Sequence, residues 1–350
     1  MNRYYHAVRQ PVRRPRAEEY LLLTLLSFAL SVSLTRLFLA LTGYPQLGGG
    51  ILHISHVLWG GLLLFIAAML PLVFANRWVY RVVAILAGVG VGLFIDEVGK
   101  FITQSYDYFY PAAAPIIYAF FLICVLIYLQ LARPRPRYTR SELYAAIETM
   151  EEVLDHDLDA QEQAEIKNRL TYVIEHEENP NLIKLATELR DYFSSDRLYL
   201  APDLPSRIQR LSMWFQNIEA RFFNRARLRN LLVVGLGTLG LFSLIIPLFA
   251  LISVVFLSGS IESGETSWVV VLGSLLGITG LALIFGAGFL FTGKEHLGIQ
   301  IGYYLLLIYL TIVDIFLFYY YQFGMILIVM IQFVILLGLL YYQGRYLKTN

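Results

Sequence analysis

Gly92-Leu93-Phe94-Ile95-Asp96-Glu97-Val98-Gly99-Lys100 is the stretch that decides how this chain is read. Two adjacent carboxylates and an ammonium group close an apolar run long enough to cross a bilayer. An ionisable side chain at that depth costs about 2.5–3.5 kcal/mol even on the mildest insertion scale, so it needs a partner and a reason to be there. Reading outward, the partners on offer are Arg36 on the first apolar run and His53 and His56 on the second.

The 350 residues are 57% hydrophobic and 15% charged, a balance that belongs to polytopic membrane proteins. Formal net charge is +1, so no global field favours nucleic acid, and no nucleic-acid partner is expected. Cys124 is the single cysteine, which rules out an internal disulfide and a cysteine-based metal site. The run from Tyr20 to Leu41 is too long for a signal-peptide core and reads as a retained anchor.

Apolar runs that could each span the hydrocarbon fall at about 20–42, 51–74, 79–103, 112–132, 230–257, 267–292, 298–320 and 323–343. Lys and Arg distribute between their connections in one sense only. The stretches 43–50, 104–111, 258–266 and 321–323 hold none. Arg77, Arg81, Lys294, Arg345 and Lys348 lie on the other side, with the basic tail of residues 1–19. The positive-inside rule then places both termini and the long polar stretch in the cytoplasm of a cell with a plasma (inner) membrane. The expected fold is an all-α integral membrane protein of about eight transmembrane helices. Two four-span halves, 20–132 and 230–350, flank an inserted cytoplasmic helical domain at 133–229.

Within 133–229, Thr139 with Glu142 and Asp159 with Glu162 spell capping boxes, and Asn179-Pro180 opens a third helix. Helices are expected at about 139–157, 160–178 and 180–194. Leu143, Ile147, Met150 and Leu154 recur at helical spacing as the buried face of the first. Between Arg140 and Asp203 stand 16 acidic and 6 basic residues, so this surface is expected to project away from an anionic leaflet and to offer a docking face to a cytoplasmic protein. Residues 205–225 form a basic amphipathic stripe that suits either the membrane interface or a fourth helix of the bundle. In the second half, Asp314 is the mid-membrane carboxylate and Gln332 its polar neighbour, read as a helix-packing hydrogen bond. Glu295 and His296, at a cytoplasmic turn, are expected to be solvated.

Depth ties the first-half polar residues together. Counting about 1.5 Å per residue, Arg36, Asp96 and Glu97 lie at one level near the outer face, with His53 and His56 close above. His53 and His56 share a helix face, and Gly88, Gly92, Asp96 and Lys100 form another single face. Three readings stay open. His53, His56, Asp96 and Glu97 could hold a divalent metal such as zinc, or His and carboxylate could work as acid and base, with Arg36 and Lys100 holding an anionic group. The same groups could relay protons or ions in a transporter. Or Arg36 and Lys100 neutralise Asp96 and Glu97, and the network only holds helices together in a non-catalytic scaffold.

The segments His53-Ile54-Ser55-His56-Val57-Leu58-Trp59-Gly60-Gly61 and Phe94-Ile95-Asp96-Glu97-Val98-Gly99-Lys100-Phe101, followed by Asp107-Tyr108-Phe109 and Pro111-Ala112, carry a resemblance. Over about residues 50–120 the chain resembles a group of uncharacterised prokaryotic multispan membrane proteins with the same motif pair. A small polar residue is expected ahead of the Asp-Tyr-Phe segment; Tyr106 stands there. The resemblance implies a bacterial-type inner membrane and no particular chemistry.

Overall fold

The computed structural model describes residues 11–44, 55–133, 136–195, 198–201, 224–257 and 265–347. His53 and nearly all of the 205–225 stripe lie outside these. Among the described residues the fold is all α-helical, with no strand. In chain order α1 is Ala17–Thr42, α2 His56–Val73, α3 Trp78–Ile95, α4 Val98–Ile102, α5 Ala113–Ala132, α6 Thr139–Leu154, α7 Ala160–His176 and α8 Pro180–Phe193. Then come α9 Arg225–Leu257, α10 Glu265–Phe291, α11 Glu295–Ile308, α12 Asp314–Tyr321 and α13 Ile326–Tyr342.

Seven helical segments among these residues are long and apolar enough to cross a membrane. The last, Glu295–Leu347, runs for 53 residues and joins the two runs expected at 298–320 and 323–343. It is not one straight rod. At Gln322 the backbone leaves the helix (φ 46°, ψ −134°), and α13 packs back on α11. Large apolar side chains such as Leu26, Leu30, Leu41, Leu72 and Phe285 point outward, as lipid-facing residues do. These features are those of a multi-pass membrane protein.

The chain divides into two compact units, Met1–Asp96 with Ile123–Ser206, and Glu97–Leu122 with Arg207–Asn350. In the first, α3 lies between α1 and α2 and packs on both. Alternating glycines make this possible. A Cβ on Gly88 would sit 2.4 Å from the Thr24 carbonyl, and one on Gly92 2.7 Å from Ser31 Cβ, so this face receives α1. A Cβ on Gly90 would sit 2.9 Å from the Gly60 carbonyl, and one on Gly60 2.8 Å from that of Gly90, so this face receives α2. Backbones this close leave room for no side chain between them.

The third apolar run is not the single helix expected over 79–103. It stops at Ile95, Asp96 and Glu97 form a turn, and α4 restarts at Val98. The last α3-type bond runs from Asp96 N to Gly92 O, 3.1 Å, and the next turn begins with Lys100 N on Glu97 O, 3.0 Å.

The polar stretch of the first unit folds as α6–α8 around Leu143, Ala146, Leu158, Ile166, Leu170, Val173, Ala186 and Phe193. Asp159 and Glu162 form the full capping box, and Asn179 caps Pro180–Phe193 through Asn181 N. Thr139 is not a cap: Tyr138 holds that position, and the Thr139 hydroxyl donates to Glu177 instead. The buried face of α6 is also shifted. Ile147 and Leu154 are 51% and 78% exposed, while Leu143 and Ala146 are buried and Met150 and Val153 pack beside them. The stripe follows Ala146 because a small residue lets the neighbouring helices approach closely.

The second unit uses the glycine device again. A Cβ on Gly240 would meet the Gly280 carbonyl at 2.7 Å, and the converse contact is 2.8 Å, which seats α9 on α10. Replacing Gly90 by Ala is expected to cost roughly 1–3 kcal/mol through overpacking against backbone. Gly61, whose Cβ would meet nothing within 4 Å, is the control: its Ala variant should stay within about 0.5 kcal/mol of wild type. Thermal unfolding of the three proteins in one detergent measures the difference.

Candidate functional site at the end of the third helix

The register of α1 against α3 prepares the site. Gly88 faces Thr24 and Ser27, and Gly92, one turn on, faces Ser31. The two helices run in the same sense, so one further turn sets Asp96 against Arg36. The α2–α3 contact at Gly60 and Gly90 runs in the opposite sense and brings His56, the first residue of α2, to the same carboxylate. Ser55 caps α2 by accepting from Val57 N at 3.2 Å, which holds His56 at the helix start.

Asp96 is 0% exposed and Arg36 6%. Arg36 Nε donates to Asp96 Oδ1 at 2.5 Å, and its Nη2 donates to the Asp96 carbonyl at 2.8 Å. The second carboxylate oxygen, Oδ2, lies 3.1 Å from His56 Nε2. His56 keeps 22% of its side chain exposed. Arg36 and Asp96 therefore cancel in charge inside the helix layer, and the imidazole sits between a buried anion and the surface. A carboxylate only accepts hydrogen bonds, so Nε2 carries the proton toward Asp96 and the lone pair of neutral His56 resides on Nδ1.

Glu97 and Lys100 belong to the second unit. Glu97 is buried, and Lys100 Nζ stands 3.1 Å from its Oε2, one turn along the chain. Lys100 also lies 5.3 Å from the Tyr108 ring centroid. Around them the loop is tied down: Thr103 Oγ1 donates to Gly99 O and accepts from Asp107 N, both at 2.8 Å. Asp107 Oδ1 accepts from Phe109 N at 2.8 Å. A Cβ on Gly99 would fall 2.7 Å from the Asp107 carbonyl, so only glycine fits there. Tyr106 takes a left-handed φ of 54°, the conformation that Asn and Asp adopt more readily, which is why a small polar residue suits that position.

Of the proposed site residues, Arg36, His56 and Asp96 come together, and Glu97 pairs with Lys100. His53 lies outside the described residues. Among those described, no group of three or more His, Cys, Asp or Glu side chains is placed to hold a metal ion. Sequence reading passed over Gly90 and Ser31, whose hydroxyl donates to Val89 O at 3.2 Å. The Gly88-Val89-Gly90-Val91-Gly92 alternation carried the signal for Gly90.

In the second unit, Gln332 Nε2 donates to Asp314 Oδ1 at 3.3 Å, both side chains buried. The helix before Asp314 widens into a π-type turn, Tyr309–Val313, and the Leu310 carbonyl accepts from Tyr118 at 2.7 Å. Glu295 is not solvated: Arg225 Nη2 stands 2.9 Å and Arg229 3.6 Å from its carboxylate. His296 is exposed as expected.

Comparison of the chain with protein-family models, with curated proteins and with solved structures finds no match.

Replacing Asp96 by Ala leaves a buried guanidinium without its anion and is expected to cost about 3–5 kcal/mol. The Arg36→Met/Asp96→Leu double variant should recover most of that, because it removes both charges. A double-mutant cycle on melting in detergent separates this coupled pair from two independent residues.

Proposed function

We propose that the chain is a multi-pass inner-membrane protein whose first three long helices carry an acid/base centre built from His56, Asp96 and Arg36. Asp96 orients His56 and stabilises the imidazolium formed when Nδ1 takes a proton. Arg36 keeps Asp96 ionised and in place. The observation that carries this reading is Asp96 itself, fully buried, with Arg36 on one carboxylate oxygen and the partly exposed His56 on the other. A guanidinium on Oδ1 repels a dication at the same carboxylate, which favours proton transfer over metal ligation by Asp96.

The helices make eight crossings in this reading, with both termini and residues 133–229 in the cytoplasm. The one-sided distribution of Lys and Arg supports that orientation. His56 and Asp96 then lie toward the outer face, where a molecule from the outer leaflet reaches the imidazole.

The test uses wild type and His56→Ala in vesicles made from inner-membrane lipid extract. Products are followed by mass spectrometry, and metal content is measured on the same samples. Wild type is expected to form a lipid-derived product, and His56→Ala to form it about 100-fold more slowly at unchanged melting temperature. A near-stoichiometric transition metal that disappears with His56→Ala would make this a metal centre instead. Equal rates would leave the triad as a clasp between helices.

A further inference from the structure

A second polar region lies in the first unit, where the segment before α1, the start of α3, the end of α5 and helices α6 and α7 surround a cleft of about 920 Å³. Its lining is unusual in charge. Arg13, Arg14 and Arg16 enter from the N-terminal segment and Arg77 from the start of α3. Arg133, Arg137 and Arg140 follow α5, and Arg169 enters from α7. Against these eight arginines, among the described lining residues, stand Glu18, Glu142, Glu152, Glu162 and Glu165, with Glu148 next to Arg14, so positive charge is in excess. Part of the acidic surface of α6 and α7 is folded onto the basic segment that precedes α1.

The pairing inside the cleft is uneven. Arg16 reaches Glu162 at 2.8 Å, Arg169 reaches Glu142 at 2.8 Å, and Arg77 pairs closely with Glu152. Arg14 stands 3.6 Å from Glu148 and Arg137 3.8 Å from Glu142, both beyond hydrogen-bond length. Arg140 lies over the Tyr144 ring, 5.6 Å from its centroid. Arg133 is exposed at the rim, and among the described residues no acidic side chain pairs with it. Arg77 Nε is a buried donor with no hydrogen-bond partner. Burial also pushes the Glu148 carboxyl above its ordinary range, although Arg14 and Arg77 draw it down, which weakens the nearest source of neutralising charge.

Guanidinium forks with donors to spare, converging on a cleft of ligand size, match the oxygens of a phosphate group better than any neutral ligand. We propose that this cleft binds a phosphate-bearing anion, through Arg133 and Arg137 at its rim and Arg14 and Arg77 deeper inside. The phosphate can belong to the headgroup of an anionic phospholipid or to a soluble phosphate compound. The lipid source rests on the membrane reading given above; the soluble source does not.

The experiment uses the full chain in nanodiscs of phosphatidylcholine, titrated with inorganic pyrophosphate at constant ionic strength, with thermal unfolding as readout. In parallel, discs that also contain phosphatidylglycerol are analysed by native mass spectrometry for lipid retained on the protein. Saturable stabilisation by pyrophosphate identifies a soluble phosphate as the ligand, and selective retention of phosphatidylglycerol identifies a headgroup. In either arm Arg133→Gln/Arg137→Gln should weaken binding by about 10-fold or more, since each charge-assisted fork is lost. Neither side chain stands within hydrogen-bond length of an acidic group among the described residues, so the fold is expected to survive. If it does not, the salt dependence of wild-type binding replaces the variant, and affinity must fall steeply as chloride rises. Binding in neither arm, binding unaltered in the double variant, or affinity indifferent to salt would overturn the proposal.

Discussion

The ion pair between Arg36 and Asp96 depends on how closely three backbones approach, and much of the first unit follows from that approach. With Gly88 and Gly92 on one face of α3 and Gly90 on the other, α1 and α2 both come within backbone contact of the same helix. At that spacing the arginine and the carboxylate cannot avoid each other, and water cannot reach either. Two charges excluded from water are tolerable only when each satisfies the other, and Arg36 does so twice, at the side chain and at the carbonyl of Asp96. The helix ends at Ile95, and Asp96, held from both neighbouring helices, opens the turn that follows.

The helical domain of the first unit rests on ordinary local rules, and most of them were legible. Asp159 with Glu162 and Asn179 with Pro180 act as written, because capping is a bond between residues three apart or fewer and needs no tertiary partner. The two exceptions are tertiary. Thr139 is drawn away to Glu177 on the end of another helix, and the buried stripe of α6 turns toward Ala146 rather than the larger Ile147. Hydrophobicity alone ranks Ile147 above Ala146; proximity of a packed neighbour reverses that ranking.

The second unit shows the same division. The Asp314–Gln332 hydrogen bond could be anticipated because both are polar residues at matched positions in adjoining apolar runs. The π-type turn before Asp314 could not, nor the Tyr118 hydroxyl that accompanies it, since Tyr118 is nearly two hundred residues away in sequence. Glu295 looked like a solvated turn residue and is instead clasped by Arg225 and Arg229 from the start of α9. A surface carboxylate is told from a clasped one only by what another helix brings to it.

By itself the sequence determined that this is a helical chain with several runs long and apolar enough to cross a membrane, where those runs lie, which residues carry charge into them, and where most of the domain helices begin. These are properties of composition, run length and local bonding, each settled within a few residues. Tertiary structure decided which charges meet: Asp96 with Arg36 and His56, Glu97 with Lys100, and a cluster of arginines around a cleft whose lining comes from five separate segments. Adjacent carboxylates look equivalent in a sequence. Asp96 and Glu97 take different partners, Arg36 and His56 for one and Lys100 for the other, because which groups other segments bring to each carboxylate is settled only by packing.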